Sequence, residues 1–126
     1  MTPILLVTGG SRGIGRVTAE LAAKRGYDVA VSYRQDRQAA EAVVDNVTTH
    51  GRRAFAVRAD VGSETDIAAM FAAVDAALGP VTHLVNSAGI SPKLQIEDVD
   101  AVALARLWSI NVSGTILCCQ QAVQRR

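Results

Sequence analysis

Short apolar runs alternate with longer amphipathic ones along the whole chain, and this alternation narrows the fold more than any other feature. "ILLVT" (4–8), bounded by Pro3 and Gly9, reads as a buried strand. Gly13 to Lys24 reads as a helix with Ile14, Val17 and Leu21 on one face, stopped at Gly26. "YDVAVSY" (27–33) is a second strand by its valine and aromatic content. Ala39, Ala40, Val43, Val44 and Val47 form a helical stripe between Gln35 and His50, with Gly51 placed for a left-handed cap. "AFAVRAD" (54–60) is a third strand. Ser63 and Asp66 stand at capping-box spacing, although Glu or Gln is usual at the second position. The helix after them turns Ile67, Met70, Phe71, Val74 and Leu78 inward and ends at Gly79-Pro80. "VTHLVN" (81–86) is a fourth strand, followed by a loop (87–97). From Asp98 onward the chain is predominantly helical, with a break or a close packing contact expected at Gly114.

Strands joined by helical crossovers of this length run parallel with right-handed connections, and helices cover both faces of the sheet. The expected fold is therefore α/β, a doubly wound parallel sheet in the order 3-2-1-4. Ligands of such sheets bind outside the carboxyl ends of the strands where the order reverses, between strands one and four. At 126 residues the chain is one domain, and 49% hydrophobic with 20% charged residues is a globular balance. A net charge of +1 and only 4% aromatic residues argue against nucleic acid as a partner. Cys118 and Cys119 are adjacent, which suits reduced core thiols rather than a staple, and neither Cys nor His stands at metal-ligand spacing. His50 and His83 read as structural or solvated. The apolar run at Pro3–Val7 is too short for a signal-peptide core, and no apolar stretch is expected to reach bilayer length. A cytoplasmic protein without membrane contact is the expectation.

Gly9, Gly13 and Gly15, with Ser11, Arg12 and Ile14 among them, fill the junction between the first strand and the first helix. No Lys-Ser/Thr pair follows, so this is not a P-loop, and the spacing G-x3-G-x-G departs from the common G-x-G-x-x-G. The physical demands are shared: a tight turn, close approach of a pyrophosphate, and a helix N-terminus aimed at negative charge. A glycine-rich turn without a ligand is the alternative.

"TGGSRGIG" (8–15), Asp60-Val61, "NSAG" (86–89) and Asn111 within "INVSG" (110–114) together resemble, in order and spacing, the short-chain dehydrogenase/reductase family over essentially the whole chain. The resemblance implies a Rossmann-like, NAD(P)-binding domain. The family's T-G-x-x-x-G-x-G falls on Thr8, Gly9, Gly13 and Gly15, and its adenine-side aspartate on Asp60, with Val61 beside it. Its N-N-A-G falls on Asn86, Ser87, Ala88 and Gly89, with Ser87 in place of the second Asn. The family's helix asparagine, which helps to hold a proton-relay water, falls on Asn111, the catalytic residue the resemblance implies. Without the family, Asp60 reads equally as a turn cap, Asn86 as a backbone clamp and Asn111 as a satisfied core amide.

An NAD site places a carboxylate at the end of strand two, about 20 residues past the glycines. Here that place reads "SYRQ", with Tyr33 and Arg34 where an acid would stand, and Arg12 lies in the glycine loop. Guanidinium groups pair with a 2′-phosphate that a carboxylate would repel, so NADP(H) is favoured over NAD(H). The resemblance further implies a catalytic Ser and a Tyr-x-x-x-Lys beyond Asn111. Neither Tyr27 nor Tyr33 has Lys four residues later, and no serine can be assigned that role. The sequence is therefore expected to be the amino-terminal, cofactor-binding part of an enzyme interconverting an alcohol and a carbonyl, inactive by itself. A non-catalytic dinucleotide-binding module is the alternative. A small carbonyl or alcohol is the expected partner. The helix from Ala101 onward resembles one that family members pack against a second subunit, and its Ile110, Ile116 and Leu117 suit either that homo-oligomer contact or burial within the same chain.

Overall fold

The computed structural model describes residues 1–126. Four strands, β1 (Ile4–Thr8), β2 (Asp28–Tyr33), β3 (Ala54–Arg58) and β4 (His83–Asn86), alternate with helices α1 (Gly13–Lys24), α2 (Arg37–Thr49) and α3 (Glu64–Ala77). A 3-10 turn (Ile96–Asp98), helix α4 (Ala101–Trp108), a π-helical turn (Ser109–Ser113) and helix α5 (Gly114–Val123) complete the chain. The sheet has the expected order β3-β2-β1-β4 with every pair parallel, so the fold is the doubly wound α/β class. The order reverses between β1 and β4.

Period-2 alternation along the strands distributes two cores. Ile4, Leu6 and Ala30 face α3 and α5, against Ile67, Met70, Phe71, Val74 and Cys118. Leu5, Val7, Val29 and Val31 face α1 and α2, against Ala19, Ala22, Ala23, Ala40, Val43 and Val47. The stripes expected on α2 and α3 are thus the inner ones. On α1 the expectation is corrected: Ile14, Val17 and Leu21 are 82%, 65% and 47% exposed. The buried face is Gly15, Ala19, Ala22 and Ala23, because a helix that starts on the glycine loop must lie close to the sheet, and only small residues leave that room. On the last helix Ile110 is buried in the chain's own core and Leu117 packs against it, whereas Ile116 is exposed.

Of the two effects expected at Gly114, the close packing contact occurs and the break does not, since the helix continues through it. The π turn ends there, and a Cβ at this position would collide with the carbonyl oxygen of Val61. Cys118 is buried, and desolvation with the neighbouring Cys119 pushes its thiol up to about 11. Cys119 is exposed, which corrects its assignment to the core, since the two side chains leave the helix about 100° apart. Ser63 caps α3 by accepting from the Asp66 amide, but the Asp66 carboxylate accepts from the Asp60 amide, so only half of a capping box forms. The expectation about membrane-length stretches is also corrected. The continuous helical run Ala101–Val123 is 23 residues long and apolar enough to span a bilayer by length and composition, because the turn at Ser109–Ser113 joins α4 to α5 without a break. Ile110, Gly114 and Cys118 dock this run onto the domain, and Arg125 just beyond it pairs with Asp75 of α3.

One buried charge had no signal in the pattern. Asp28, at the start of β2, is almost fully buried and accepts from the Arg53 amide (2.9 Å) and from the Arg52 and Arg53 guanidinium groups. Arg53 also donates to the Leu78 carbonyl at the end of α3. Burial works to raise the Asp28 carboxyl, but the hydrogen bonds from Arg53 and Arg52 outweigh it and hold it below its ordinary value. A carboxyl depressed in the folded state stabilises above its unfolded pKa, and that contribution is lost as pH falls through the folded one. Asp28→Asn is therefore expected to lower the unfolding free energy by about 2 kcal/mol at neutral pH. Urea unfolding at descending pH checks this: the gap between Asp28→Asn and the wild type should close below about pH 4.

Candidate functional site

The glycine loop is held from three sides. Thr8, at the end of β1, accepts through Oγ1 from the amides of Ser87 and Ala88, both at 3.2 Å, tying the turn after β4 to that after β1. Ser32 of β2 is buried, accepts the Gly9 amide on its hydroxyl and accepts the Gly10 amide on its carbonyl, both at 3.1 Å. Gly9 has φ +62°, and a Cβ there would stand 2.8 Å from Ala88 Cα. Gly15 in the first turn of α1 leaves no room for a side chain against the Gly9 carbonyl.

Helix α1 starts differently from α2, α3 and α4. Asp36, Ser63 and Asp100 cap α2, α3 and α4 with side-chain oxygens, whereas Arg12 heads α1 with no side-chain cap. Its first-turn amides are open toward a cleft of about 540 Å³ that lies at the carboxyl ends of β1, β2 and β3. Gly9, Ser11, Arg12, Gly13 and Ile14 line it on one side, Tyr33 and Arg34 on another, and Asp60, Val61, Ala88 and Gly89 on the rest. Gly13 has no atom within 4 Å of where a Cβ would stand, so the cradle above the helix start is open. These features fit a phosphate-bearing nucleotide: free amides, a positive helix end and two guanidinium groups lining the cleft. Asp36, the nearest carboxylate in sequence to Arg34, is engaged as the α2 cap through the Ala39 amide.

Asp60 meets the turn-cap reading and lies in the cleft as well. Its Oδ1 accepts from the Gly62 amide and its Oδ2 pairs with Arg106 of α4, both at 2.9 Å. Burial works to raise its carboxyl, but the Arg106 hydrogen bond first, then the Gly62 amide and the charge of Arg34, hold it below the ordinary range. Val61 is buried, with its carbonyl beneath Gly114.

Thr8, Gly15 and Asn86 lie outside the cleft lining. The first two support the loop, and Asn86 donates to Cys119 Sγ at 3.5 Å. Asn111 forms a two-pronged strap: its Oδ1 accepts from the Ile90 amide at 2.9 Å and its Nδ2 donates to the Ile90 carbonyl at 2.8 Å. The amide is satisfied, as one reading expects, but Asn111 is exposed rather than in the core, because it faces the loop beyond β4. Asn111 and Ile90 both line a smaller apolar cavity of about 330 Å³ beside the main cleft. Sequence reasoning passed over Ser32, Ile90 and Arg106. A polar residue inside an otherwise apolar strand was the available signal for Ser32; nothing local marks Arg106, whose partner is far away in sequence.

An open parallel sheet with a glycine-rich strand-to-helix turn at its reversal point defines the class of Rossmann-type nucleotide-binding domains. The chain belongs to the short-chain dehydrogenase family, whose model ("short chain dehydrogenase") matches residues 3–125. It is 47% identical over 123 residues to the uncharacterized oxidoreductase YgfF of Escherichia coli, covering 97% of this chain and 50% of that protein. It is 37% identical over 122 residues to the 3-oxoacyl-[acyl-carrier-protein] reductase FabG of Staphylococcus aureus, again covering 97% and 50%. Among solved structures, a short-chain dehydrogenase from Burkholderia cenocepacia in complex with NADP superposes with a TM-score of 0.94 at 35% identity, covering 98% of this chain and 50% of that one. The chain spans about half the length of these relatives.

If the Asn111 strap sets the path of the loop after β4, Asn111→Ala should speed amide exchange at Ile90 about tenfold, the equivalent of one lost hydrogen bond. Hydrogen-exchange NMR measures this directly, and an unchanged Ile90 amide would assign the path of the loop to its neighbours instead.

Proposed function

We propose that these residues form the cofactor-binding domain of an NADP(H)-dependent oxidoreductase that interconverts an alcohol and a carbonyl. The uncapped start of α1, opening onto a cleft that also holds Arg12 and Arg34, carries this reading. When bound, the dinucleotide supplies or accepts the hydride. The open amides of α1 hold its pyrophosphate, with Gly9 and Gly13 allowing backbone approach. Arg12 and Arg34 pair with the 2′-phosphate, and Asp60 accepts from the adenine amino group. Ala88 and Gly89, placed by Thr8, form the wall on the β4 side of the cleft. Asn111 holds the segment after that wall through Ile90 and stands at the substrate side. Reduction of a carbonyl also needs a proton donor within hydrogen-bond reach. In a protein of the relatives' length, that group is supplied from outside residues 1–126. Support from relatives comes from the FabG reductase and from the 1-cyclohexenylcarbonyl-CoA reductase of Streptomyces collinus, which is 36% identical over 121 residues.

Calorimetric titration tests the cofactor assignment. 2′,5′-ADP should bind at least about tenfold more tightly than 5′-AMP, the worth of one charge-assisted pair, and Arg34→Asp should remove that preference while leaving 5′-AMP affinity nearly unchanged. Equal affinities of the wild type for the two nucleotides would sink it.

The same reading includes self-association. Leu104, Trp108 and Ile116 are 54%, 62% and 62% exposed along the α4–α5 run, a face suited to a second copy. Sedimentation at micromolar concentration should give a species larger than a monomer, and Trp108→Glu should shift it toward the monomer.

A further inference from the structure

Each polar atom of Asp60 has a partner within the chain. Its amide donates to Asp66 Oδ2 (2.9 Å), its carbonyl accepts from the Ser63 amide (3.0 Å), and its Oδ1 accepts from the Gly62 amide (2.9 Å). Its Oδ2 is held at 2.9 Å by Arg106 Nη1, the one side-chain cation paired with it, which arrives from another element, α4. Room for that guanidinium exists because position 62 is glycine: a Cβ there would lie 2.8 Å from Arg106 Nη1 and 3.0 Å from Ile110 Cγ1. Arg106 is only partly exposed and stands outside the main cleft, behind the carboxylate rather than among the groups lining the nucleotide space. It also begins the stretch Arg106–Asn111 that runs directly to the Ile90 strap, so one helix grips both ends of the cleft.

Resting on the dinucleotide reading above, we infer that Arg106 is a positioning residue for recognition of the purine. It holds the Asp60 carboxylate, through the Oδ2 pair, in the orientation that accepts a hydrogen bond from the exocyclic 6-amino group of adenine. A carboxylate oxygen carries more than one lone pair, so the Arg106 bond fixes the group and still leaves acceptor capacity facing the cleft. A neutral residue at 106 leaves the carboxylate tied by the Gly62 amide alone, free to rotate away from the base. Selectivity between a 6-amino and a 6-oxo purine then falls, since a 6-oxo group offers an acceptor where the carboxylate needs a donor.

The test uses 5′-AMP and 5′-IMP, which differ at that group and in the proton that the 6-oxo form carries on the adjacent N1, titrated calorimetrically against the wild type, Arg106→Gln and Arg106→Lys. The wild type should prefer 5′-AMP. Arg106→Gln should weaken 5′-AMP about tenfold, leave 5′-IMP within about twofold and erase the preference, the worth of a charge-assisted bond. Arg106→Lys restores one cation to the single Oδ2 contact and should recover most of the preference, which a failure of folding would not. Equal weakening of both nucleotides in Arg106→Gln, or an unchanged AMP/IMP ratio, overturns the role of Arg106 while the dinucleotide reading stands. A wild type that binds neither 5′-AMP nor 2′,5′-ADP overturns the dinucleotide reading, and the role of Arg106 falls with it.

Discussion

Three backbone segments meet at the carboxyl end of β1 with no side chain between them, and the rest of the site depends on that approach. Gly9 lies against Ala88, Gly15 lies against the Gly9 carbonyl, and Thr8 ties the amides of Ser87 and Ala88 from below. A methyl group at Gly9 or Gly15 would force the loop, the helix or the turn after β4 apart. The cost would be structural as much as functional, because the same contacts that open α1 to a phosphate also seat it on the sheet. Ser32 completes the arrangement from β2 with two amides of the loop. β1, β2 and the turn after β4 thus each contribute to one rim.

The seating of α1 explains why the sequence pattern misled there while succeeding elsewhere. Periodicity finds the face that carries large apolar residues, and on α2 and α3 that face is the inner one. On α1 the approach to the loop admits only Gly15, Ala19, Ala22 and Ala23, so the large residues at 14, 17 and 21 are turned outward. Strand identities and the sheet order were legible because continuous apolar runs separated by helical crossovers allow few topologies. Strand ends were legible to within two residues, the start of β2 at Asp28 included.

The site divides along the same line. Residues that act through their backbone or their lack of a side chain were legible from the glycine spacing, and most of them line the cleft or support it. Residues whose role is to hold another residue were not. Ser32, Arg106 and Ile90 acquire meaning only from partners 23, 46 and 21 positions away, brought close by the winding of the sheet. Tertiary partners of this kind leave no local period, and a single sequence carries no record of them.

That difference also separates what holds the cleft together from what would fill it. The cleft is shaped by neutral hydrogen bonds, Ser32 to the loop, Thr8 to the turn and Asn111 to Ile90, none of which depends on a bound group. Its charges are arranged differently. Asp60 is balanced by Arg106 and Asp36 is spent on the start of α2, while Arg12 and Arg34 face the cleft with no carboxylate within pairing distance. Two guanidinium groups that lack a paired carboxylate, beside an uncapped helix start, favour an anion there. On the proposed reading, a 2′-phosphate would meet the Arg34 guanidinium and a pyrophosphate the helix start, whereas a 2′-hydroxyl would leave Arg34 without an anionic partner. The proposed preference for the phosphorylated cofactor therefore rests on which charges the fold has already paired, rather than on any one arginine.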